Sequence, residues 1–132
     1  MIAVDTSVLV AIAKEEPEHK RFSSVLAQGD AVVGTPTLVE TKFVLSSILE
    51  DHDIDALMRR LIGEGSLRPV EFTPAMADAA VVAFRRFGKG RGHPAKLNFG
   101  DCMSYAVAKV NGVPLLYKGN DFSQTDLASA LP

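Results

Sequence analysis

The sequence predicts an α/β domain with a short, mainly parallel central sheet flanked by helices, and two observations support this. Short apolar segments of strand length alternate along the chain with longer segments in which apolar residues recur at helical spacing. That alternation is typical of parallel sheets whose strands are connected by helices. The chain has 132 residues, 47% of them hydrophobic, which fits a single domain over residues 1–132 with a substantial core.

The first half of the chain contains two predicted strands and three predicted helices. The first strand is the apolar segment Ile-Ala-Val, and Pro17 and Gly29 are placed to begin and end the second helix. Thr35 followed by Pro36 predicts the N-cap and first residue of the third helix. The predicted strands are residues 2–4 and 31–33, and the predicted helices are residues 8–13, 17–29 and 35–50.

The second half of the chain continues the same alternation. Asp53 is predicted to cap one helix, and Thr73 with Pro74 predicts the start of another. Asn111 and Gly112 predict a helix end, because glycine favours the position just after a helix. The predicted helices are residues 54–64, 74–87 and 99–110, the predicted strands are 70–72 and 113–117, and a glycine-rich loop covers 88–94.

Four acidic residues are candidates for a functional site. Asp5 directly follows the first strand, and functional groups gather beyond the carboxyl ends of parallel strands. Glu40 lies in a helix among mostly apolar neighbours, and Asp101 follows Gly100 at a helix start. Asp121 lies in a polar, turn-rich segment. Each acid also has a purely structural explanation, namely a cap, a solvent-reaching helix edge, a favourable helix dipole or a turn.

Brought together, these carboxylates would have the chemistry of a metal site. Clustered carboxylates repel and raise one another's pKa unless a cation neutralises them. Oxygen ligands suit Mg²⁺, with Mn²⁺ as a substitute, and such a metal orients a water for attack on a phosphodiester. His19, His52 and His93 have no zinc-like spacing with one another or with Cys102, which we interpret as a small buried thiol.

The charge of the chain is distributed unevenly. The formal net charge is −2, but residues 85–96 contain five basic residues and no acid, leaving nine basic against sixteen acidic residues elsewhere. A basic strip beside an acidic metal site suits an enzyme that acts on a polyanion, and the alternative is a solvated loop. The basic residues of this strip are Arg85, Arg86, Lys89, Arg91 and Lys96.

The sequence also bears on the cellular compartment. No apolar run reaches the roughly 18 residues of a membrane span, and the first residues lack the basic and apolar regions of a signal peptide. The single cysteine cannot form an internal disulfide. We therefore expect a cytoplasmic protein with no membrane association.

Four segments resemble the motifs of PIN-domain nucleases and occur in the order that the family has. They are MIAVDTSVLV at residues 1–10, TLVETKF at 37–43, NFGDCMSYAVA at 98–108 and PLLYKGNDFSQTD at 114–126. More narrowly, FGKGRGHPAKLNFGDC at residues 87–102 resembles VapC toxins, the ribonuclease partners of VapB antitoxins in bacterial toxin–antitoxin pairs. The resemblance covers essentially the whole chain.

This resemblance implies a compact α/β/α sandwich with Mg²⁺-dependent endoribonuclease activity. It carries the catalytic and metal-binding roles onto Asp5, Glu40 and Asp101, and it suggests a hydroxyl of Thr6 or Ser7 near the site. Related toxins form homodimers, and an antitoxin segment typically covers their active site. The partners implied are therefore RNA as substrate, a VapB-like antitoxin and a second copy of the chain.

One departure from the family pattern concerns the fourth acid. Many PIN domains have a serine or threonine after the last strand and an acid two residues on, whereas residues 117–119 here are Tyr-Lys-Gly. We therefore predict that the fourth metal ligand is Asp121, which precedes Phe122 as in the family's DF dipeptide, with Asp126 as the alternative. Lys118 is expected to contact phosphate or to pair with a site carboxylate.

Three other functions remain open at this point. A phosphoacceptor receiver-like domain would place paired acids after its first strand, where this chain has only Asp5. A binding module with a degenerate site predicts that neither metal nor the change Asp5→Asn affects RNA. A PIN nuclease that cuts DNA is compatible with the same residues, because carboxylate–metal chemistry does not itself select for a 2′-hydroxyl.

Overall fold

The computed structural model describes residues 1–64 and 67–131 and has a parallel sheet at its centre. Within these residues the sheet has four strands in the order β3-β2-β1-β4, and every pairing is parallel. The strands are β1 at Ile2–Val4, β2 at Ala31–Gly34, β3 at Leu67–Val70 and β4 at Leu115–Leu116. The predicted α/β fold class with a short parallel sheet is confirmed.

The helices connect the strands and follow several of the predicted boundaries. Thr73 caps α5 by accepting a hydrogen bond from the backbone N–H of Met76, and Gly112 ends α6 in a left-handed conformation with φ 64°. The α-helices are α1 at Thr6–Ala13, α2 at His19–Ala27, α3 at Thr35–Leu45, α4 at Asp51–Met58, α5 at Pro74–Phe87 and α6 at Phe99–Asn111. A π-helical segment at Arg59–Glu64 continues α4, and a 3₁₀ turn covers Phe122–Gln124.

For the predicted helix over residues 35–50, the expected N-cap and the expected end were wrong. Gly34, not Thr35, occupies the N-cap of α3, and Thr35 is its exposed first residue. The helix stops at Leu45 because Ser46 and Ser47 follow it. Their hydroxyls donate to backbone carbonyls three residues back, which competes with continued helical hydrogen bonding.

Two other predicted boundaries also moved. Asp53 lies inside α4, which begins two residues earlier with Glu50 at its N-cap. The predicted strand at residues 70–72 lies instead at Leu67–Val70, because the register of β3 against β2 begins with Leu67 opposite Ala31. Leu67 is buried in the core, so its burial fixes this register.

Helices cover both faces of the sheet. Adjacent residues of each central strand belong to different core clusters, as Ala3 and Val4 do on β1 and as Val32 and Val33 do on β2. One cluster packs against α5 and α6, and the other packs against α1 and α2. Because side chains alternate across a strand, the molecule is an α/β/α sandwich.

The sheet brings the end of β1 beside the end of β4. The backbone N–H of Asp5 donates to the carbonyl of Leu116 across 3.0 Å, so the residue after the first strand lies against the last one. Helix α6 packs against both β1 and β2. In the part of the chain that the structure describes, no helix has the length and apolar character needed to cross a membrane.

Candidate active site

Asp5 is a buried acid at the carboxyl end of β1. It is the N-cap of α1, and its Oδ2 accepts hydrogen bonds from the backbone N–H and the hydroxyl of Ser7, at 3.0 and 2.7 Å. The residue is only 4% exposed, and its Oδ1 is buried with no hydrogen-bond partner among the described residues. A buried carboxylate oxygen without a partner costs free energy, so this oxygen is suited to a cation.

Ser7 links the two strand ends at which the site forms. Its hydroxyl donates to Asp5 and accepts from the backbone N–H of Lys118 across 3.0 Å. The ammonium of Lys118 lies elsewhere, 3.2 Å from carboxylate oxygens of both Glu16 and Glu18. The predicted pairing of Lys118 with a site carboxylate is therefore absent from the described residues, where its backbone, not its charge, contacts the site.

Glu40 projects from α3 toward the beginning of α6. The hydroxyl of Thr6 donates to its Oε1 across 2.5 Å, so the predicted hydroxyl near the site is placed directly on a site carboxylate. Its other oxygen lies against the backbone of Gly100, where any Cβ would overlap it. Glu40 is thus half-buried between two named neighbours and does not extend freely into water.

Asp101 occupies the first turn of α6 and faces the other acids. It forms a capping box with Asn98: the Asn98 side chain accepts from the Asp101 N–H, and the Asp101 carboxylate accepts from the Asn98 N–H. The pKa of Asp101 is raised to about 6, mainly by burial and also by the charges of Asp5, Asp121 and Glu40, while the hydrogen bond from the Asn98 N–H opposes the rise. The charges of the other three predicted acids therefore all act on Asp101.

The two candidates for the fourth acid have different surroundings. Asp126 accepts a hydrogen bond from the hydroxyl of Tyr105 at 2.8 Å, lies 2.7 Å from the ammonium of Lys109 and lies 3.6 Å from Arg86. These partners already neutralise Asp126. Asp121 is exposed just before the 3₁₀ turn, and its charge reaches Asp101. Because Asp126 is already neutralised and the charge of Asp121 acts on Asp101, Asp121 stays the predicted fourth ligand.

The donor set fits a hard divalent cation, although the acids are not closed around one point. Within residues 1–64 and 67–131, no three carboxylate, imidazole or thiol groups stand close enough to form a complete ligand set as they are oriented. The partnerless Oδ1 of Asp5 and the raised pKa of Asp101 both indicate negative charge that lacks a counter-ion. Oxygen-only donors of this kind match Mg²⁺ and Mn²⁺.

Three of the five basic residues predicted to hold RNA have other contacts. Arg86 pairs with Asp126 and lies over the ring of Phe87, with 4.6 Å from its guanidinium carbon to the ring centroid. Arg91 lies over the Phe84 ring at 5.3 Å. Arg85 lines the apolar groove between α5 and α6.

Lys89 and Lys96 border a hollow of about 560 Å³ formed by the glycine-rich loop. The base of this loop is closed, because Gly88 and Leu97 form a parallel bridge. Both lysines are exposed, and no ion pair involves either one in the described part of the chain. Within the predicted basic strip, Lys89 and Lys96 are therefore the two residues whose ammonium groups face solvent around this hollow.

Sequence reasoning missed the residues that support Glu40. Buried hydroxyls link α3 to its neighbours: the Thr41 hydroxyl lies 3.5 Å from that of Thr6 on α1, and the Thr37 hydroxyl lies 3.3 Å from that of Ser104 on α6. The glycine before Asp101 was the only local signal for this packing. Cys102 is buried, and its burial together with Asp101 raises its pKa to about 11, which agrees with an unreactive thiol.

Comparisons with known proteins agree with this fold. The PIN domain family model matches residues 2–127. Ribonuclease VapC30 of Mycobacterium tuberculosis is 40% identical over 136 residues, which is 99% of this chain and 100% of the relative. The chain therefore belongs to the PIN-domain family, within its group of VapC ribonucleases.

Solved structures show the same fold at lower identity. VapC20 of Mycobacterium tuberculosis, described as a sarcin–ricin loop cleaving toxin, superposes with a TM-score of 0.78 at 21% identity, covering 100% of both chains. A chain of VapBC2 from Rickettsia felis, bound to a DNA fragment from its promoter, gives a TM-score of 0.75 at 14% identity, covering 98% of this chain and 96% of that one.

Proposed function

We propose that this chain is the toxin of a type II toxin–antitoxin system, an endoribonuclease that hydrolyses RNA phosphodiester bonds with Mg²⁺. The observation that supports this most directly is the buried Oδ1 of Asp5, which has no hydrogen-bond partner among the described residues, together with the three acids whose charges act on Asp101. The full-length similarity of this chain to Ribonuclease VapC30 supports RNA as the substrate. Mn²⁺ is the expected substitute metal.

In this proposal Asp5, Asp101 and Asp121 hold the metal, and Glu40 assists beside them. A bound Mg²⁺ would supply Lewis-acid stabilisation of the phosphodiester charge and make a nearby water more acidic. Asp5 is already fixed by Ser7, so its orientation requires no rearrangement. Asp101 must lose its proton to act, which its raised pKa makes dependent on pH near neutrality.

The other polar groups orient the reaction. Glu40, held by Thr6, can accept a hydrogen bond from the attacking water. The water oxygen attacks phosphorus in line, the bond from phosphorus to the 3′-oxygen breaks, and the products are a 5′-phosphate and a 3′-hydroxyl. In this proposal the hydroxyl of Thr6 orients Glu40 and the hydroxyl of Ser7 orients Asp5. Both hydroxyls were also predicted to lie near the substrate.

The partners and the place of action follow from the same proposal. The VapBC2 neighbour of Rickettsia felis is a toxin–antitoxin pair, so we infer a VapB-like antitoxin for this chain. We also infer a homodimer, built from one PIN domain over residues 1–132 of each copy. We also infer that the chain acts in the cytoplasm, because its proposed substrate is cellular RNA.

The experiment is cleavage of mixed cellular RNA by purified protein with Mg²⁺, with Mn²⁺ and with chelator. Wild-type protein should cut only with metal, and Asp5→Asn should lower the rate at least about a hundredfold, because it removes a charged ligand. Asp78→Asn, at an exposed acid on α5, is the matched control and should cut normally. Equal cutting by Asp5→Asn protein would overturn the site, and cutting of single-stranded DNA at the RNA rate would overturn the choice of substrate.

A further inference from the structure

We propose that Gly100 is a positioning residue, because its missing side chain creates the space in which the Glu40 carboxylate lies. The inference rests on the proposed ribonuclease function, since it concerns how one of the four acids is oriented. Gly100 has no side chain that could bind the metal, and in this proposal it does not contact the RNA. Its role is to leave space for Glu40.

A larger residue at position 100 would force the Glu40 carboxylate to shift. Gly100 is buried in the first turn of α6, and a Cβ built on it would overlap Oε2 of Glu40 and lie 2.7 Å from Oε1. Real Cβ atoms essentially never approach other heavy atoms within 3.0 Å. The carboxylate of Glu40 therefore packs directly against the helix backbone.

Backbone conformation does not explain the glycine. Gly100 lies within the regular helix α6, a conformation that any residue adopts, and glycine is a poorer helix former than alanine. The chain thus carries the less favourable residue at this point of the helix. The contact with Glu40 supplies a steric reason for that choice.

Glu40 also has a contact on the side away from Gly100. A shift of the carboxylate would therefore disturb its hydrogen bond with Thr6. The hydroxyl of Thr6 donates to Oε1, and Thr41 lies 3.5 Å from that same hydroxyl. The buried contact between the hydroxyls of Thr37 and Ser104 also joins α3 to α6. A side chain at position 100 would push Glu40 away from Thr6.

The first test compares Gly100→Ala with wild-type protein in RNA cleavage. We expect kcat to fall about tenfold or more, because small displacements of a catalytic group are costly, and KM to change less than about threefold. Gly63→Ala is the matched control, because a Cβ at Gly63 meets nothing within 4 Å and this variant should cut normally. Unchanged kcat in Gly100→Ala protein would overturn the proposal.

A second test uses the rescue expected from a shorter acid. Glu40→Asp withdraws the carboxylate by one methylene, so it should lower kcat in wild-type protein but cost much less, or restore activity, when combined with Gly100→Ala. Strictly additive losses in the two variants would show that position 100 does not act through Glu40.

A third measurement needs no metal and no catalysis. In chelator, urea unfolding of the four proteins of a Gly100→Ala and Glu40→Ala cycle should be non-additive. Alanine at position 100 should stabilise the Glu40→Ala protein more than the wild-type protein, because the clash is gone and the better helix former remains. Additive free energies of unfolding would overturn the steric contact, whereas an inactive wild-type enzyme would overturn only the proposed function.

Discussion

At the level of single residues, Asp5 and Asp101 both cap a helix in addition to their proposed role as metal ligands. Asp5 caps α1 through Oδ2 while its Oδ1 stays buried without a partner among the described residues. Asp101 completes the capping box of α6 with Asn98 while it shares a region with three other acids. A cap fixes the orientation of a carboxylate without consuming all of its acceptor positions. Capping would therefore hold these acids in place for the metal that we propose.

The raised pKa of Asp101 makes the stability of the metal-free protein dependent on pH. In the folded chain the pKa is about 6, against an ordinary value of 3.8. Between these values the folded state keeps a proton that the unfolded chain releases, so stability falls as the pH rises from about 4 to 6. Asp101→Asn keeps an acceptor for the Asn98 N–H but cannot ionise.

Urea unfolding in chelator at a series of pH values measures this effect. The free energy of unfolding of wild-type protein, relative to Asp101→Asn protein, should decrease from pH 4 to about pH 7 and then level off. A difference that stays constant, or that increases with pH, would contradict the assignment of a raised pKa to this carboxyl.

At the level of elements, the glycine-rich loop between α5 and α6 is more ordered at its base than its composition suggests. The backbone N–H of Lys89 donates to the carbonyl of Leu97, and the N–H of Leu97 donates to the carbonyl of Phe87, both at 2.9 Å. Lys96 has φ 51°, a left-handed conformation that is uncommon for a residue with a side chain. Lys89 and Lys96 therefore extend from a loop whose base is held by backbone hydrogen bonds.

We predict that this loop contributes phosphate contacts to RNA binding. In an Asp5→Asn background, which prevents cleavage, the double variant Lys89→Ala, Lys96→Ala should reduce the slope of log affinity against log salt by about two for double-stranded RNA segments. The matched control, Lys20→Ala with Lys42→Ala, removes two exposed lysines elsewhere and should leave the slope unchanged. Equal slopes for both double variants would exclude the loop from the interface.

At the level of the whole molecule, the acid group makes folding sensitive to divalent cations. Four carboxylates at one edge of the sheet repel in the absence of a counter-ion. A ligand that binds only the folded state stabilises it by about 2.7 kcal/mol at a hundred times its Kd. Mg²⁺ should therefore raise the Tm of wild-type protein at pH 7.5, and chelator should reverse the rise.

The double variant Asp5→Asn, Asp101→Asn is the comparison for this measurement. It removes two proposed ligands and two of the repelling charges, so its Tm should be higher in chelator and nearly independent of Mg²⁺. A Tm that responds to Mg²⁺ equally in both proteins would place the bound metal away from these acids.

Much of the fold could be predicted because its signals are local. Apolar segments of two to four residues mark β1, β2 and β4, and the pairs Thr73-Pro74 and Asn111-Gly112 mark the limits of helices. Boundaries that depend on competition were wrong. Ser46 and Ser47 end α3 early, and pairing with β2 moves β3 to Leu67–Val70. Neither effect is visible in hydrophobic spacing.

The sequence by itself determined which acids to consider, because Asp5 and Asp101 stand beside elements whose ends are marked locally. Only the tertiary structure decided which side chains surround the candidate acids. It placed Glu40 between Thr6 and Gly100, which are 34 and 60 positions away along the chain. It also paired Lys118 with Glu16 and Glu18, away from the site acids. The physical reason is that these contacts join side chains from separate elements, whose distance depends on how helices pack across the sheet.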